Sequence, residues 1–501
     1  NFLGGYRAGY NATTADYTVA IGTNAIGTGL LTGSNNTAIG WAAGQDLTSG
    51  TYNNFMGYRA GLNATTADNT IAIGRQAIGL GVLTGTDNIA LGYQAGYDLT
   101  SGTYNNFMGY RAGYNLTTGD GHNLIGYKAG SNATTASNTV AIGNAAIGSG
   151  VLTGDDNVAI GRLAGNDLTS GAHNFIGGYA AGYNATTASN NVAIGREAIG
   201  LGILTGDANV AIGYGAGYDL TSGATNVAVG YRAGQNVTTG STNVFAGGDT
   251  GLNATTASHT VAIGNAAIGL GVLTGDDNVA IGRLAGNDLT SGATNVAVGY
   301  AAGSNATTAN NTVAIGNAAI GSGVLTGDDN VAIGRLAGND LTSGAHNFIG
   351  GYAAGYNATT ASNNVAIGRE AIGLGILTGD ANVAIGYGAG YDLTSGATNV
   401  AVGYRAGQNV TTGSTNVFAG GDTGLNATTA SHTVAIGNAA IGLGVLTGDD
   451  NVAIGRLAGN DLTSGATNVA VGYAAGSNAT TANNTVAIGN AAIGSGVLTG
   501  D

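Results

Sequence analysis

The chain has 501 residues, of which 95 are Gly; it contains no Pro and no Cys, carries only 8% charged side chains, and has a formal charge of −14. Collagen, which needs Gly at every third position with abundant Pro, is excluded. A disordered linker is excluded as well, because Val, Ile and Leu recur at fixed places and the mean hydropathy is +0.15. The acidic balance argues against nucleic acid as a partner, and no run of about 18 uninterrupted apolar residues offers a membrane span.

From the first residues onward the chain repeats. A core of the type Val-Ala-Ile-Gly occurs at residues 19–22, 71–74, 140–143, 158–161, 192–195 and onward to 486–489. Its closing glycines stand at Gly5, Gly22, Gly40, Gly57, Gly74, Gly92, Gly109, Gly126, Gly143 and Gly161, in steps that never differ by more than one position. Strict tandem repetition predicts one small unit stacked many times. Helix is disfavoured: a Gly every few residues costs about 1 kcal/mol each relative to Ala, and the apolar spacing lacks a 3.6 period. Short Val/Ile/Thr stretches between Gly, Asn, Asp and Ser turns predict β structure.

Three unit types cycle along the chain, exemplified by residues 143–157, 161–171 and 178–188, with an extra unit of the third type at 230–239. A higher period lies above them, since residues 138–328 recur without change as 311–501. Residues 1–501 therefore read as one continuous repeat array, and as a segment of a longer chain because both ends fall inside a unit. Two short strands and two turns per unit predict an all-β parallel β-solenoid, or β-roll, of 17–18-residue coils, each advancing the axis by about 4.8 Å.

Within a coil, Asn157-Val158-Ala159-Ile160 alternates with period two. The reading expects Val158 and Ile160 on the packed side, stacking on their equivalents, and a second short strand starting at Leu168 and Thr169. Asn157, Asn174, Asn191, Asn209 and Asn226 are expected to form an amide ladder. The alternate row at Ala141, Ala159, Ala193, Ala211, Ala228 and Ala262 is expected on the outer face. A small, apolar outer stripe predicts close packing against other copies of the chain, as a trimer or filament.

The Asn-x-Val-Ala-Ile-Gly core with its small-residue corner resembles the head repeats of trimeric autotransporter adhesins. The longer pattern at residues 225–241 resembles repeats of large bacterial surface proteins and of phage tail-fibre-like proteins. The resemblance covers the whole chain and implies a left-handed parallel β-roll, a homo-oligomer and an extracellular, cell-surface location. The unit here is longer than typical adhesin-head repeats, and no coiled-coil stalk, membrane anchor or chaperone domain is evident.

Candidate chemistry is sparse. Asn-x-Thr sequons at Asn11, Asn63, Asn115, Asn132, Asn184, Asn236, Asn253 and Asn305 are candidate glycosylation sites; Asp167-Leu168-Thr169 shares the offset of Asn184-Ala185-Thr186, which favours an Asx or Thr turn instead. Asp155-Asp156-Asn157 suggests calcium, but its counterparts Ser34-Asn35-Asn36 and Asp207-Ala208-Asn209 favour solvated turn residues. Tyr and Arg follow the anchors at Tyr127, Arg162, Tyr179, Arg196, Tyr214 and Tyr231, a row able to stack on sugar rings or to shield the coil edge. Thr153, Thr169 and Thr186 form no flat Thr-x-Thr array of an ice-binding kind. The five histidines join no nucleophile or carboxylate peculiar to one unit. The expectation is a non-catalytic shaft of an extracellular fibre, cell-surface adhesin or appendage, with no cofactor or metal. The alternatives are a module binding surface glycans through its Tyr/Arg rows, and a phage tail-fibre-like shaft.

Overall fold

The computed structural model describes residues 1–493 and 497–500; residues 494–496 and 501, in the last copy of the long repeat, lie outside the described residues. The fold is an all-β parallel β-solenoid, with 29 strands of three residues each and no helix among the described residues. Within each unit consecutive strands pair parallel and in register, so that Val140 meets Val158, Ala141 meets Ala159 and Ile142 meets Ile160. Two compact units divide the chain at Asn1–Thr256 and Ala257–Asp501. The first carries the strands from Phe2–Gly4 to Val244–Ala246, the second those from Val261–Ile263 to Val486–Ile488.

Each strand ends at a corner that only certain backbones can make. Gly161 has φ +134°, Leu163 φ +61° and Gly165 φ +56°, three residues of positive φ in five. A Cβ on Gly161 would lie 2.4 Å from the carbonyl oxygen of Gly178 in the next coil. Both the dihedral and the close coil approach therefore require glycine at the anchor. The other side of the coil holds no second strand. Thr169 and Asp167 donate their N–H groups to Thr186 and Tyr183 at 2.9 and 3.0 Å, but pairing there is limited to isolated bridges such as Ala133–Leu152 and Ala185–Leu204. The expected strand at Leu168 and Thr169 is interrupted because the surrounding turns leave too few consecutive extended residues to form a ladder.

The strand's two faces are the reverse of the sequence expectation. Ala159 is fully buried, whereas Ile160 is 42% exposed, and Val158 is only half-buried. The coil is narrow, and a Cβ placed on Gly165 of the opposite wall would be 3.8 Å from the Ala159 Cβ. Larger residues take this row in other coils: Ile176 pairs in register with Ala159 and Phe245 with Ala228, and a Cβ on Gly251, the counterpart of Gly165, would come within 2.2 Å of the Phe245 ring.

The 18-residue coils fill the same space differently. Ile147 occupies the corner position that Gly165 holds in the next coil, at φ +48°, and it is fully buried. A β-branched residue there carries strain of about 1–3 kcal/mol. Burying the whole Ile side chain is worth about 1.5–3 kcal/mol and offsets it.

The buried polar row is an amide ladder, as expected at Asn157, Asn174, Asn191, Asn209 and Asn226. The side-chain amide of Asn174 donates to Asn157 Oδ1 at 3.0 Å and to the Ala188 carbonyl at 2.9 Å. Its own Oδ1 accepts the backbone N–H of Asn191 at 3.0 Å and its side-chain N–H at 3.2 Å. The ladder continues through Asn209 and Asn226 at 3.1 Å per step. A Thr in this row closes a ladder segment: Thr70 accepts no further rung but donates its N–H to Asn53 Oδ1 at 3.0 Å. The next segment restarts in an 18-residue coil, where Asn157 turns its amide to Gly154 and Gly171 carbonyls, both at 2.9 Å.

These contacts make the anchor glycine the most sensitive position of a coil. Gly178→Ala would set a Cβ 2.5 Å from the Gly195 carbonyl oxygen at φ +134°. We expect a loss of roughly 2–4 kcal/mol for the cooperative unit that contains it, with Ser170→Ala within about 0.5 kcal/mol of the parent. Chemical denaturation of the two variants checks this.

Candidate functional site

A solenoid presents rows rather than a cleft, so each candidate is a row of equivalent positions. The expected contact row at Ala141, Ala159, Ala193, Ala211, Ala228 and Ala262 is buried throughout, from 0% to 4% exposed. It lines the coil interior and cannot touch a second copy. The exposed apolar row is the opposite one, at Ile142, Ile160, Ile194, Ile212, Val229 and Ile263, each more than a third exposed. Half-buried Val140, Val158, Val192 and Val210 run beside it. Together they form an apolar face on each unit's sheet, two residues wide but interrupted by Thr37, Asn54, Asn106 and Asn123 in the Val row and by Gly177 and Gly350 in the Ile row. Sequence reasoning assigned these large residues to the core because size usually follows burial, whereas in these coils the smaller Ala is the buried residue.

The sequon asparagines are half-buried, and the structure shows what most of their side chains bond. Asn11, Asn63 and Asn184 donate to the carbonyls of Thr28, Leu80 and Leu201 at 3.0, 2.8 and 2.8 Å. Asn132 and Asn305 each donate to two carbonyls of the following coil, those of Gly148 and Ser149 and of Gly321 and Ser322. Asn115 donates to Asn132 Oδ1 at 2.7 Å, and Asn236 to Asn253 Oδ1 at 2.6 Å. The amide nitrogen that a glycan would occupy thus helps join successive coils at these positions.

The turn carboxylates have a similar employment. Asp155 Oδ1 accepts the Ser137 backbone N–H at 2.7 Å, and Asp207 Oδ1 that of Ser189 at 2.7 Å. No group of three or more His, Asp or Glu able to hold a metal occurs among the described residues. Nor is any helix of the described residues long and apolar enough to cross a membrane.

Tyr and Arg do form an axial rail. Tyr110 stacks between Tyr93 and Tyr127 with centroids 5.2 and 5.1 Å apart. Arg196 stands 5.6 Å from the rings of both Tyr179 and Tyr214, and Tyr214 stacks on Tyr231 at 5.4 Å. Arg162 lies 5.7 Å from Tyr179. Where ring follows ring, the faces meet one another, so this stretch of the rail shields the coil edge and leaves ring edges outward.

One titratable group sits inside the ladder. His122 takes the place of a ladder Asn and is fully buried. Its Nε2 lies 2.5 Å from the Ala136 carbonyl, while its Nδ1 accepts the Thr139 backbone N–H at 3.3 Å. Its own N–H donates to Asn105 Oδ1 at 2.9 Å. These partners suit the neutral ring protonated on Nε2, since a second proton on Nδ1 would face the Thr139 N–H. Burial pushes the His122 pKa down, against smaller upward pulls from its hydrogen bonds and from Asp120 and Asp155. The register of the Asn row, four positions before Gly126, was the signal that could have found it.

No known protein family matches the chain, and comparison with curated proteins likewise gives no match.

The sign of the His122 effect is fixed by its neutral folded state. A depressed folded pKa leaves stability whole above the unfolded value of about 6.5 and diminishes it as pH falls below that value. Half-buried Asp98, Asp167 and Asp219 are shifted upward by burial and act in the opposite sense, but at lower pH, where carboxylates titrate. We expect the denaturation midpoint to fall between about pH 7 and about pH 5.5, and His122→Asn, which restores an amide rung, to remove most of that fall.

Proposed function

We propose that this chain is a non-catalytic structural shaft of an extracellular fibre, cell-surface adhesin or appendage, and that copies associate along the Val/Ile face. The observation that carries this reading is the exposed Val/Ile strip that recurs in most coils on one sheet face. Solvent-facing strand positions ordinarily carry polar residues, and an apolar strip of this length is the kind of surface that another subunit covers. Identical coils present identical patches, which favours a symmetric homo-oligomer. The likeness of the Asn-x-Val-Ala-Ile-Gly core to trimeric autotransporter adhesin heads points the same way, to a trimer at a cell surface. The mechanism is mechanical: axial hydrogen bonds and the Asn ladder couple each coil to its neighbours, so load is shared along the stack.

Glycan recognition by the Tyr/Arg rail has less support, because several ring faces are already occupied by neighbouring rings.

The test is a charge row on the apolar face. Ile160→Lys, Ile194→Lys and Ile212→Lys together should convert an oligomer into single chains in analytical ultracentrifugation, with unchanged β-type circular dichroism. Unchanged sedimentation would contradict association through this face. Lys in the buried row at Ala193 should instead unfold its coils, since an unpaired ammonium would be driven into the core.

A further inference from the structure

Away from the apolar face, one place on the first unit departs from the repeat. A cavity of about 410 Å³ opens on the coil surface, lined by Arg111, Tyr114, Asn115, Lys128, Ser131 and Asn132 among others. Pockets that hold small ligands start at about 300 Å³. Lys128 is the only lysine of the chain, in a protein whose formal charge is −14.

The long internal repeat supplies a comparison for each lining residue. In the register that sets residue 138 on residue 311, carried back through the preceding coils, Ser304 and Asn305 fall on Ser131 and Asn132. The bonds also match: Ser131 and Ser304 donate to the carbonyls of Gly148 and Gly321 at 2.9 and 2.8 Å. The shelf of the cavity is therefore generic. Four of its side chains are not, because the same register puts Leu284 on Arg111, Asn287 on Tyr114, Asp288 on Asn115 and Ala301 on Lys128.

Some basic positions of the fold are paired with a carboxylate, namely Arg196, Arg232, Arg369 and Arg405. At the equivalent corners of later coils, Arg232 pairs with Asp249 at 2.7 Å, and the Asp stands where Lys128 stands here. Neither Arg111 nor Lys128 has a carboxylate within 4.0 Å among the described residues. Arg111 is held in place by its Nε, which donates to Gln94 Oε1 at 2.8 Å, and by the Tyr114 ring 4.9 Å away. Its terminal NH₂ groups remain available as donors. Tyr114 is itself fixed by stacking on Tyr97 at 5.0 Å and 3°. Asn115 uses one amide N–H on Asn132, which leaves its carbonyl oxygen free to accept.

We propose that this cavity binds a saccharide carrying a carboxylate. Arg111 and Lys128 would hold the anion through charge-assisted hydrogen bonds. The Tyr114 wall suits the C–H face of a sugar ring, and the Asn115 carbonyl suits a ring hydroxyl. A bare inorganic anion would use the cations but neither the aromatic wall nor most of the volume. The inference stands apart from the shaft reading, since it concerns one site per chain and not the repeated face.

The experiment uses the full chain, with D-glucuronate, D-glucose and inorganic phosphate as probes in ligand-observed NMR titrations. Glucuronate should bind saturably at one site per chain, at least tenfold more tightly than glucose or phosphate. Arg111→Leu and Lys128→Ala, the residues the internal copy already carries in this fold, should each weaken glucuronate at least tenfold. Tyr114→Asn should weaken glucuronate while leaving phosphate unchanged. Circular dichroism of each variant establishes that the coils remain folded. Phosphate binding as tightly as glucuronate would overturn the saccharide assignment, and binding unaffected by Lys128→Ala would overturn the site. Absence of saturable glucuronate binding would overturn the proposal outright.

Discussion

Axial register is the constraint on which everything else in this protein depends. A single coil buries too little to stand alone, so its backbone and side chains must meet those of the next coil at fixed places. The buried Asn row enforces this most stringently, because an amide displaced by one position would leave a donor and an acceptor unpaired in the core, at about 1–3 kcal/mol each. Anchor glycines enforce it sterically, with Cβ positions 2.4 to 2.5 Å from the next coil's carbonyl at Gly161 and Gly178. A row of side chains on the surface is then a consequence of the row of backbones beneath it.

That coupling explains how a narrow fold accommodates variation. The interior admits a methyl at Ala159 or a ring at Phe245, with glycine at the facing corner in both coils, Gly165 in one and Gly251 in the other. The ladder tolerates Thr70 as a terminus because a Thr backbone N–H still satisfies the amide before it. It tolerates His122 because a neutral imidazole offers one donor and one acceptor, as an amide does. Variation on the outer corner is freer still, which is how Arg111, Tyr114 and Lys128 came to share one cavity.

Much of this was legible in the sequence, and the failures are instructive. The repeat length, the β character, the Asn ladder and the corner glycines follow from periodicity and from residue types whose conformational needs are narrow. The inside and outside of the strand did not follow, because alternation separates two faces without saying which is buried. The size of Ile160 against Ala159 pointed the wrong way, because the buried row is mostly Ala, with larger residues such as Ile176 and Phe245 in only some coils. The cavity was hidden for another reason. Arg111 and Lys128 lie one full coil apart along the chain, and only the coil register makes them neighbours.

The central claim is that buried Asn amides lock successive coils together. It is tested most directly by hydrogen exchange of the side-chain amides in protein labelled with ¹⁵N at Asn. The account predicts two classes: strongly protected amides from the ladder, Asn174, Asn191, Asn209 and Asn226 among them, and fast-exchanging amides from exposed asparagines such as Asn144 and Asn190. A single fast-exchanging class, with ladder amides as labile as those of the exposed asparagines, would contradict it.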